Sequence, residues 1–219
     1  MQPAPGAEKE NVLIFLMGSI MGVLLHQRNL LVLHARAVMM NGKSMAFTGP
    51  SGIGKSALAA GLYQRGYPVL ADDLCAIFTK DGFSSVIPGF LRLKLWEDTL
   101  KKLDYHTEKL ESVRWDQDLD KYYLPFDQQP VTAVPLKSIF ILEMSDAKAI
   151  DVIPLKGMEK IYAIIMNTYR YVAVDGLGPK QEHFKQCTCV SRHADVNRII
   201  RPREPFLLDE LMDVLEEYV

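Results

Sequence analysis

One eight-residue run constrains this chain more than any other feature of its sequence. Residues 49–56 read GPSGIGKS and fit the pattern GxxxxGK[ST] at every position. The apolar AFT before the run predicts a strand, and ALAAGLYQRG after it predicts a helix that ends at Gly66. A glycine-rich turn and a helix N-terminus both present backbone N–H groups to an anion, so the run predicts a phosphate-binding loop (P-loop). The alternative is an ordinary glycine-rich turn before a helix.

A P-loop gives its side chains defined roles toward a nucleotide. Lys55 would place a positive charge on the transferred phosphoryl group, and the Ser56 hydroxyl would bind Mg²⁺. The cofactors we expect are therefore ATP and Mg²⁺, although the loop does not discriminate ATP from GTP. The predicted nucleotide-binding residues are Gly49, Pro50, Ser51, Gly52, Ile53, Gly54, Lys55, Ser56 and Ala57.

Two adjacent carboxylates, Asp72 and Asp73, follow the predicted helix closely. A helix of about 11 residues climbs roughly 16 Å from the phosphates. A return strand of about five residues recovers a similar distance. We therefore predict that Asp72 accepts the proton of a substrate hydroxyl, and that Asp73 faces another direction and reaches Mg²⁺. The alternative is that the pair only binds Mg²⁺ or caps a loop.

His34 can be positioned by the geometry of a hairpin. Asn41-Gly42 between two apolar runs predicts a two-residue turn, because both turn residues need a positive φ. Positions whose numbers sum to 83 then face each other, which places His34 opposite Gly49. In this register we predict that His34 contacts the catalytic carboxylate or the phosphate; the alternative is a hydrogen-bonded structural histidine.

Signals for strands, helices and turns continue along the whole chain. Asp81-Gly82 predicts a second hairpin, and strands are predicted at 30–40, 135–143 and 149–155. We predict one α/β P-loop kinase domain over residues 1–219, with a mixed β-sheet, flanking helices and β-hairpins. Its parts would be an N-terminal helix (1–29), a nucleotide-binding core (30–95), a charged lid or substrate segment (96–130), and C-terminal strands and helices (131–219).

Composition argues against several classes of protein. Lys and Arg number 25 and Asp and Glu 27, a net charge of −2, which argues against a nucleic-acid partner. The apolar run at 12–25 is shorter than the roughly 18–20 residues of a membrane span, and no basic segment precedes it. We therefore predict a helix packed against the domain and no membrane association. Three cysteines without a disulfide spacing favour the cytoplasm.

The motifs LHARAV, GPSGIGKSALAAGLYQRG and YPVLADD, over residues 30–80, resemble the catalytic domain of HPr kinase/phosphorylase, a bacterial Ser kinase. The resemblance implies an HPr kinase-like fold with His34 as the catalytic histidine, Lys55 and Ser56 in the P-loop, and Asp72 as the proton acceptor. More weakly, IPLKG and MNTYR resemble two later segments of the family. They imply that Lys156 lies near the position of a functional arginine.

The chain also departs from that family. Ala57 stands where an acidic residue usually follows GKS, and the family's EIRG-type loop is not recognisable. The segment PGFLRLKLWEDTL (88–100) occupies this place instead. Arg92 is its one residue that can be matched to a functional residue of the family's loop. Arg92 and Lys156 are therefore candidates for contact with substrate or phosphate. LHA, the P-loop, ADD and PGFLRLKLW resemble more closely the short HPr-kinase-like lasso peptide kinases, which phosphorylate a Ser hydroxyl at the C-terminus of a precursor peptide.

These observations predict a Mg-ATP-dependent Ser kinase acting on a precursor peptide or small protein. Two alternatives are a kinase/phosphorylase of the HPr carrier protein and a non-kinase ATPase module. The oligomeric state is open, with a homo-oligomer as one alternative.

Two further groups of residues have simple interpretations. His183, Cys187, Cys189 and His193 lack a CxxC metal spacing and predict a packed helix with buried thiols rather than a metal site. The basic run Arg192, Arg198, Arg201 and Arg203 predicts a solvated face, the alternative being a surface for an acidic peptide.

Overall fold

The computed structural model describes Gly6 and residues 9–90, 92–113, 120–127, 130–146, 148–177, 180–205 and 207–218. The fold is mixed α/β, as predicted, with a large mixed sheet, a small three-stranded sheet and flanking helices. The strands are β1 (Leu31–Met40), β2 (Lys43–Thr48), β3 (Val69–Ala71), β4 (Leu74–Lys80), β5 (Phe83–Ile87), β6 (Arg92–Trp96), β7 (Glu111–Ser112), β8 (Lys121–Pro125), β9 (Val134–Ser145), β10 (Asp151–Pro154) and β11 (Asp195–Pro202). The α-helices are α1 (Lys9–Phe15), α2 (Met21–Gln27), α3 (Lys55–Gln64), α4 (Glu97–Lys102), α5 (Met158–Met166), α6 (Tyr171–Leu177), α7 (Lys180–His193) and α8 (Leu208–Glu216).

The β1–β2 hairpin has the predicted register. Asn41 and Gly42 turn with φ of 46° and 74°, and the pairs run from Met40 with Lys43 to Ala35 with Thr48. Every pair sums to 83, which confirms the two-residue turn. The large sheet has the order β10-β11-β9-β2-β1-β4-β5, in which β2, β9 and β11 are parallel. The loop after β2 therefore lies at the carboxyl edge of the parallel strands, where open α/β sheets bind ligands.

The two faces of the sheet bury different helices. One apolar cluster joins Val38, Met45 and Phe47 with residues of α3 and α8, and the other joins Leu33 and Ala46 with residues of α5 and α7. Side chains alternate along a strand, so His34 and Arg36 lie on the same face as Val38. This is the face that carries α3, and it brings both residues to the P-loop side of the sheet.

The segment 96–130, predicted as a charged lid or substrate segment, contains regular secondary structure. Strands β6, β8 and β7 form a three-stranded sheet, and α4 follows β6. Leu93, Leu95 and Leu124 are buried in the cluster that includes α3, so this sheet is anchored to the nucleotide-binding core. Residues 114–119 and 128–129 of the predicted segment lie outside the described residues. A substrate role for the segment stays a prediction.

The N-terminal segment is helical and packs on the domain. A π-helical turn, Leu16–Ile20, joins α1 to α2. Gly22 is buried against Tyr169, where a Cβ would lie 2.7 Å from the ring. Leu13 and Phe15, in contrast, are exposed. Within the part of the chain that the structure describes, no helix is long and apolar enough to cross a membrane.

Candidate active site

The P-loop lies between Thr48, the end of β2, and Lys55, the first residue of α3. Gly49, Gly52 and Gly54 have φ of +135°, +80° and +102°, which favour glycine. A Cβ on Gly49 would also lie 2.5 Å from the carbonyl oxygen of Leu142 on β9. Gly54 provides no side-chain cap for α3, so the first N–H groups of the helix are left for another acceptor. This geometry fits a phosphate group.

Lys55 is held inside the loop. Its Nζ donates to the carbonyl oxygens of Gly49 at 2.7 Å and Pro50 at 2.8 Å, and the residue is only 4% exposed. Burial, followed by the charge of Arg36, lowers the pKa of Lys55 to about 8, while Asp73 and Asp72 oppose this shift. A bound anion would favour the charged ammonium group and restore its proton affinity.

One buried arginine joins the two predicted carboxylates. Arg36 Nε lies 2.9 Å from Asp72 Oδ1, and Arg36 Nη2 lies 3.0 Å from Asp73 Oδ1. Lys94 on β6 completes the group: its backbone N–H donates to Asp72 Oδ2 at 3.0 Å, and its Nζ lies 3.4 Å from Asp73 Oδ2. The aspartates therefore join the large sheet to the small one.

The environments of the two carboxylates push their pKa values in opposite directions. Burial raises the pKa of Asp72, against the charge of Arg36. Asp73 is less buried, and the charges of Arg36, Lys94 and His34 hold its pKa below the ordinary value despite desolvation by burial. Such a split is typical of a proton acceptor beside a permanently ionised partner. The roles of Asp72 and Asp73 stay predictions.

His34 lies next to Asp73 rather than Asp72. Its Cα pairs with Leu74, directly after the aspartates, and the hydroxyl of Thr48 donates to its carbonyl oxygen at 3.0 Å. Burial lowers the pKa of His34; Asp73 opposes this through its charge and through a hydrogen bond with its backbone. The ring centroid lies 5.7 Å from that of Tyr169. His34 therefore lies close to the P-loop, as predicted. The carboxylate that acts on it is Asp73, not the proposed proton acceptor Asp72.

Oxygen ligands suited to Mg²⁺ are available at the start of α3 and on the aspartate pair. Ser56 offers a hydroxyl, and Asp73 offers an ionised carboxylate whose two oxygens each have one cationic partner. A carboxylate oxygen has about two lone-pair sites, so each retains capacity for a further ligand. Hard oxygen donors are what Mg²⁺ prefers, so Ser56 and Asp73 fit the ion.

A cleft of about 270 Å³ opens beside the aspartates. Asp72 and Asp73 form part of its lining, together with the N-terminal helical segment, Phe90 and the small sheet. None of the P-loop residues is among the lining residues. The aspartates therefore line the cleft and also act electrostatically on Lys55 of the P-loop, so the two carboxylates are common to both parts of the site.

The two candidates for substrate or phosphate contact have different positions. Arg92 lines the cleft, with its Cζ 4.0 Å from the centroid of the Tyr123 ring. Lys156, in contrast, is exposed and follows β10, the edge strand three strands from β2. At about 4.8 Å per strand this is roughly 14 Å to the side of the P-loop strand. Lys156 is not among the residues that line the cleft, and its contact with substrate or phosphate stays a prediction.

The basic run near the C-terminus is not one surface. Arg201 is 4% exposed and its Nη2 donates to the carbonyl oxygen of Ile53 at 2.7 Å, so it supports the P-loop from beneath. Arg198 lies 3.0 Å from Glu143.

Helix α7 packs on the domain as predicted, but only one of its two thiols is buried, since Cys189 is half-buried. Cys187 is buried, and His183 contacts Thr168 across 2.9 Å. Among the described residues no group of three or more His, Cys, Asp or Glu is arranged to hold a metal.

Arg36 and Lys94 are the site residues that sequence reasoning missed. Arg36 stands two residues after His34, and alternation along a strand puts both on one face. RLKLW has the same alternation and could have been interpreted as a strand that presents Arg92 and Lys94 together.

Comparisons with known proteins give one local likeness in sequence. No family model matches the chain. The HPr kinase/phosphorylase of Lactobacillus acidophilus is 45% identical over 49 residues, which span 22% of this chain and 15% of that protein. The solved structure of the Hpr(Ser) kinase/phosphatase from Coxiella burnetii is 14% identical, with a TM-score of 0.44 over 85% of this chain and 87% of that one. The sequence likeness is thus confined to a short segment of both proteins.

Proposed function

We propose that this protein is a Mg²⁺- and ATP-dependent kinase that phosphorylates a Ser hydroxyl of a peptide or small protein. The observation that carries the proposal is the aspartate pair, which lines an open cleft, acts electrostatically on the P-loop lysine and has pKa values that are pushed apart. The local identity to a protein named HPr kinase/phosphorylase supports the same reaction class.

Each site residue has a role in this reaction. Asp72 accepts the proton of the Ser hydroxyl as its oxygen attacks the γ-phosphate, and its raised pKa suits a general base. Lys55 and the N–H groups of the loop stabilise the negative charge that develops on the phosphoryl oxygens. Asp73 and Ser56 would hold Mg²⁺, which supplies charge neutralisation on the phosphates. His34 orients Asp73 and thereby acts as a positioning residue.

Among peptides and small proteins, the acceptor that we propose is a lasso precursor peptide. It rests on the resemblance of LHA, the P-loop, ADD and PGFLRLKLW to lasso peptide kinases. The cleft supports a peptide acceptor because it is lined by three separate parts of the chain: the N-terminal helical segment, the small sheet, and the turn after α5. We place the reaction in the cytoplasm, since all three cysteines are free thiols.

Incubation with Mg-ATP and candidate acceptors tests the proposal. The acceptors are lasso precursor peptides, and an HPr carrier protein for the alternative kinase. We expect a mass gain of ~80 Da, one phosphoryl group, on a Ser of the precursor peptide. Asp72→Asn should lower transfer about 10²–10⁴-fold while nucleotide binding persists.

The other outcomes identify the alternatives. Phosphorylation of the carrier protein alone would identify a carrier kinase. Release of phosphate without any acceptor, unchanged in Asp72→Asn, would identify an ATPase module.

A further inference from the structure

We infer that the open edge of the small sheet, at Ser112 on β7, binds the acceptor peptide as an added strand, at a point about five residues from the hydroxyl that is phosphorylated. The inference rests on the proposed function and adds to it the way in which the peptide is held. Ser112 is not one of the phosphate-binding or proton-accepting residues described above.

The first edge of the small sheet, β6, is closed by the proposed base. Bonded pairs between β6 and β8 include the one in which the Glu97 N–H donates to the carbonyl oxygen of Asp120 at 2.8 Å. Residues of an antiparallel strand turn their backbone groups toward and away from the partner in alternation, so Lys94 points away from β8. Its N–H donates instead to Asp72 Oδ2 at 3.0 Å. The carboxylate of Asp72 therefore lies beyond the β6 edge.

The second edge, β7, leaves the backbone of Ser112 open. The Val113 N–H donates to the carbonyl oxygen of Lys121 at 2.8 Å, and the same register pairs Ser112 with Tyr122. Because Val113 bonds to β8, its neighbour Ser112 turns both its N–H and its C=O away from the sheet. Ser112 is exposed, and β7 ends the strand order β6-β8-β7 within the described part of the chain. Such an edge is a template for another extended chain.

The β7 edge suits a single peptide rather than the sheet of a second copy. The strand has two residues, and Ser112 offers one N–H and one C=O, which can exchange two hydrogen bonds with one residue of an extended chain. A very short edge strand is a common protection against association between whole sheets. Ser112 also lines the cleft that the N-terminal helical segment lines, so the partner must enter a cleft, as an extended peptide can.

The cleft connects the β7 edge to the aspartates. Its lining crosses the small sheet from Ser112 on β7, through Tyr123 on β8, to Lys94 on β6, and includes Asp72. A strand added beside β7 would lie three strand spacings from β6, which is roughly 14 Å at about 4.8 Å per strand. An extended peptide covers about 3.3 Å per residue and needs about five residues to reach Asp72. The docked residue and the acceptor residue are therefore separate parts of the peptide.

The variant Ser112→Pro tests the contact from the protein side. Proline removes the N–H that serves no bond within the small sheet, and edge strands accommodate proline in this orientation. Fluorescence anisotropy of labelled lasso precursor peptides with Asp72→Asn protein measures binding without transfer. We expect Ser112→Pro in this background to raise the peptide Kd about tenfold. Ser112→Ala, which keeps the backbone donor, is the matched control and should leave the Kd unchanged. Both variants should retain the Tm and the ADP affinity of the parent protein.

Methylation of single peptide amides tests the same contact from the peptide side and needs no variant to fold. One N-methylated position, about five residues from the acceptor Ser, should weaken binding about tenfold. The same methylation should cost less in Ser112→Pro, because the two exchanged hydrogen bonds act together. Deletion of three residues between this position and the Ser should leave binding intact and abolish transfer by the wild-type protein.

Peptide binding separates this inference from the proposed function. Binding that Ser112→Pro weakens and Ser112→Ala does not supports the inference even where no peptide is phosphorylated. Equal Kd values for Ser112→Pro and Ser112→Ala, a sensitive amide directly beside the acceptor Ser, or no binding of any precursor peptide overturns it. Self-association of the protein that Ser112→Pro abolishes would assign the edge to a second copy and also overturns it.

Discussion

The guanidinium of Arg36 lies 2.9 Å from the carboxylate of Asp72, and each side chain is less than a tenth exposed. Arg36 belongs to β1 and Asp72 follows β3, so the pair joins two strands of the sheet at the point where the site begins. A buried charge is stable only beside a partner, because desolvation otherwise favours its neutral form. Arg36 therefore sets the charge of the proposed base.

Replacing Arg36 by Met should impair both stability and transfer. Breaking a buried ion pair costs about 3–5 kcal/mol, and the unpaired Asp72 would gain a still higher pKa. The variant should unfold at lower denaturant concentration, and its transfer rate should reach its maximum at higher pH than in the wild type. Arg36→Lys retains the charge and should recover part of both. Denaturant unfolding and pH–rate profiles measure these effects, and a Met variant with wild-type profiles would contradict the assignment.

His34 should act together with Asp73. Its lowered pKa keeps the ring neutral near pH 7, so its contribution is orientation rather than charge. His34→Ala should slow transfer by less than the loss of the base, and His34→Gln should recover part of the rate. The double variant with Asp73→Asn should cost little more than the more severe single variant, because interacting residues are non-additive. Single-turnover rates measure this, and fully multiplicative losses would show that the two residues act independently.

Nucleotide binding should depend on the proton of Lys55. The pKa of this lysine is lowered to about 8, so the free protein loses the ammonium charge above that pH. Bound phosphate favours the charged form, and affinity should therefore be constant below pH 8 and fall by up to about tenfold per pH unit above it. Titration calorimetry with ADP between pH 6.5 and 9.5 measures this slope. Lys55→Met should bind weakly with no such slope; equal wild-type affinity at both ends of the range would refute the prediction.

The P-loop and the β1–β2 register could be predicted because their signals are local. GxxxxGK[ST] fixes a turn and a helix start within eight residues, and Asn41-Gly42 alone fixes which residues of β1 and β2 face each other. The position of His34 beside the loop followed from that register. The carboxylate that acts on His34 could not be predicted in this way. It depends on the pairing of β1 with β4, which no turn between the two strands specifies.

The remainder of the site depends on contacts distant in sequence. Lys94 reaches the aspartates only because buried Leu93 and Leu95 dock the small sheet against α3. Lys156 was proposed from a motif alone, and the motif does not specify that the strand before Lys156, β10, lies at the edge of the large sheet. Hydrophobic alternation predicts which face of a strand is buried, but not which other element covers it.

The last prediction concerns His183, which is buried and neutral. The Thr168 hydroxyl lies 2.9 Å from His183 Nε2 and 3.2 Å from the Ile164 carbonyl oxygen, so a hydrogen bond inside the core holds the ring. Burial, and then the nearby His26, lowers the pKa of His183 to about 4. In the unfolded chain the ordinary pKa is about 6.5. Between these values the unfolded state binds more protons, so stability should fall as the pH falls from 6.5 to 4 and lose nothing more from this group below that.

Thermal unfolding from pH 7 to pH 4 should therefore show a decline in Tm, at about 2–4 °C for each kcal/mol lost. His183→Leu removes the titrating group and should flatten this decline, whatever its effect at pH 7. His106→Asn, at an exposed position, should leave the slope unchanged. An unaltered slope in His183→Leu would show that other groups govern the acid sensitivity of the fold.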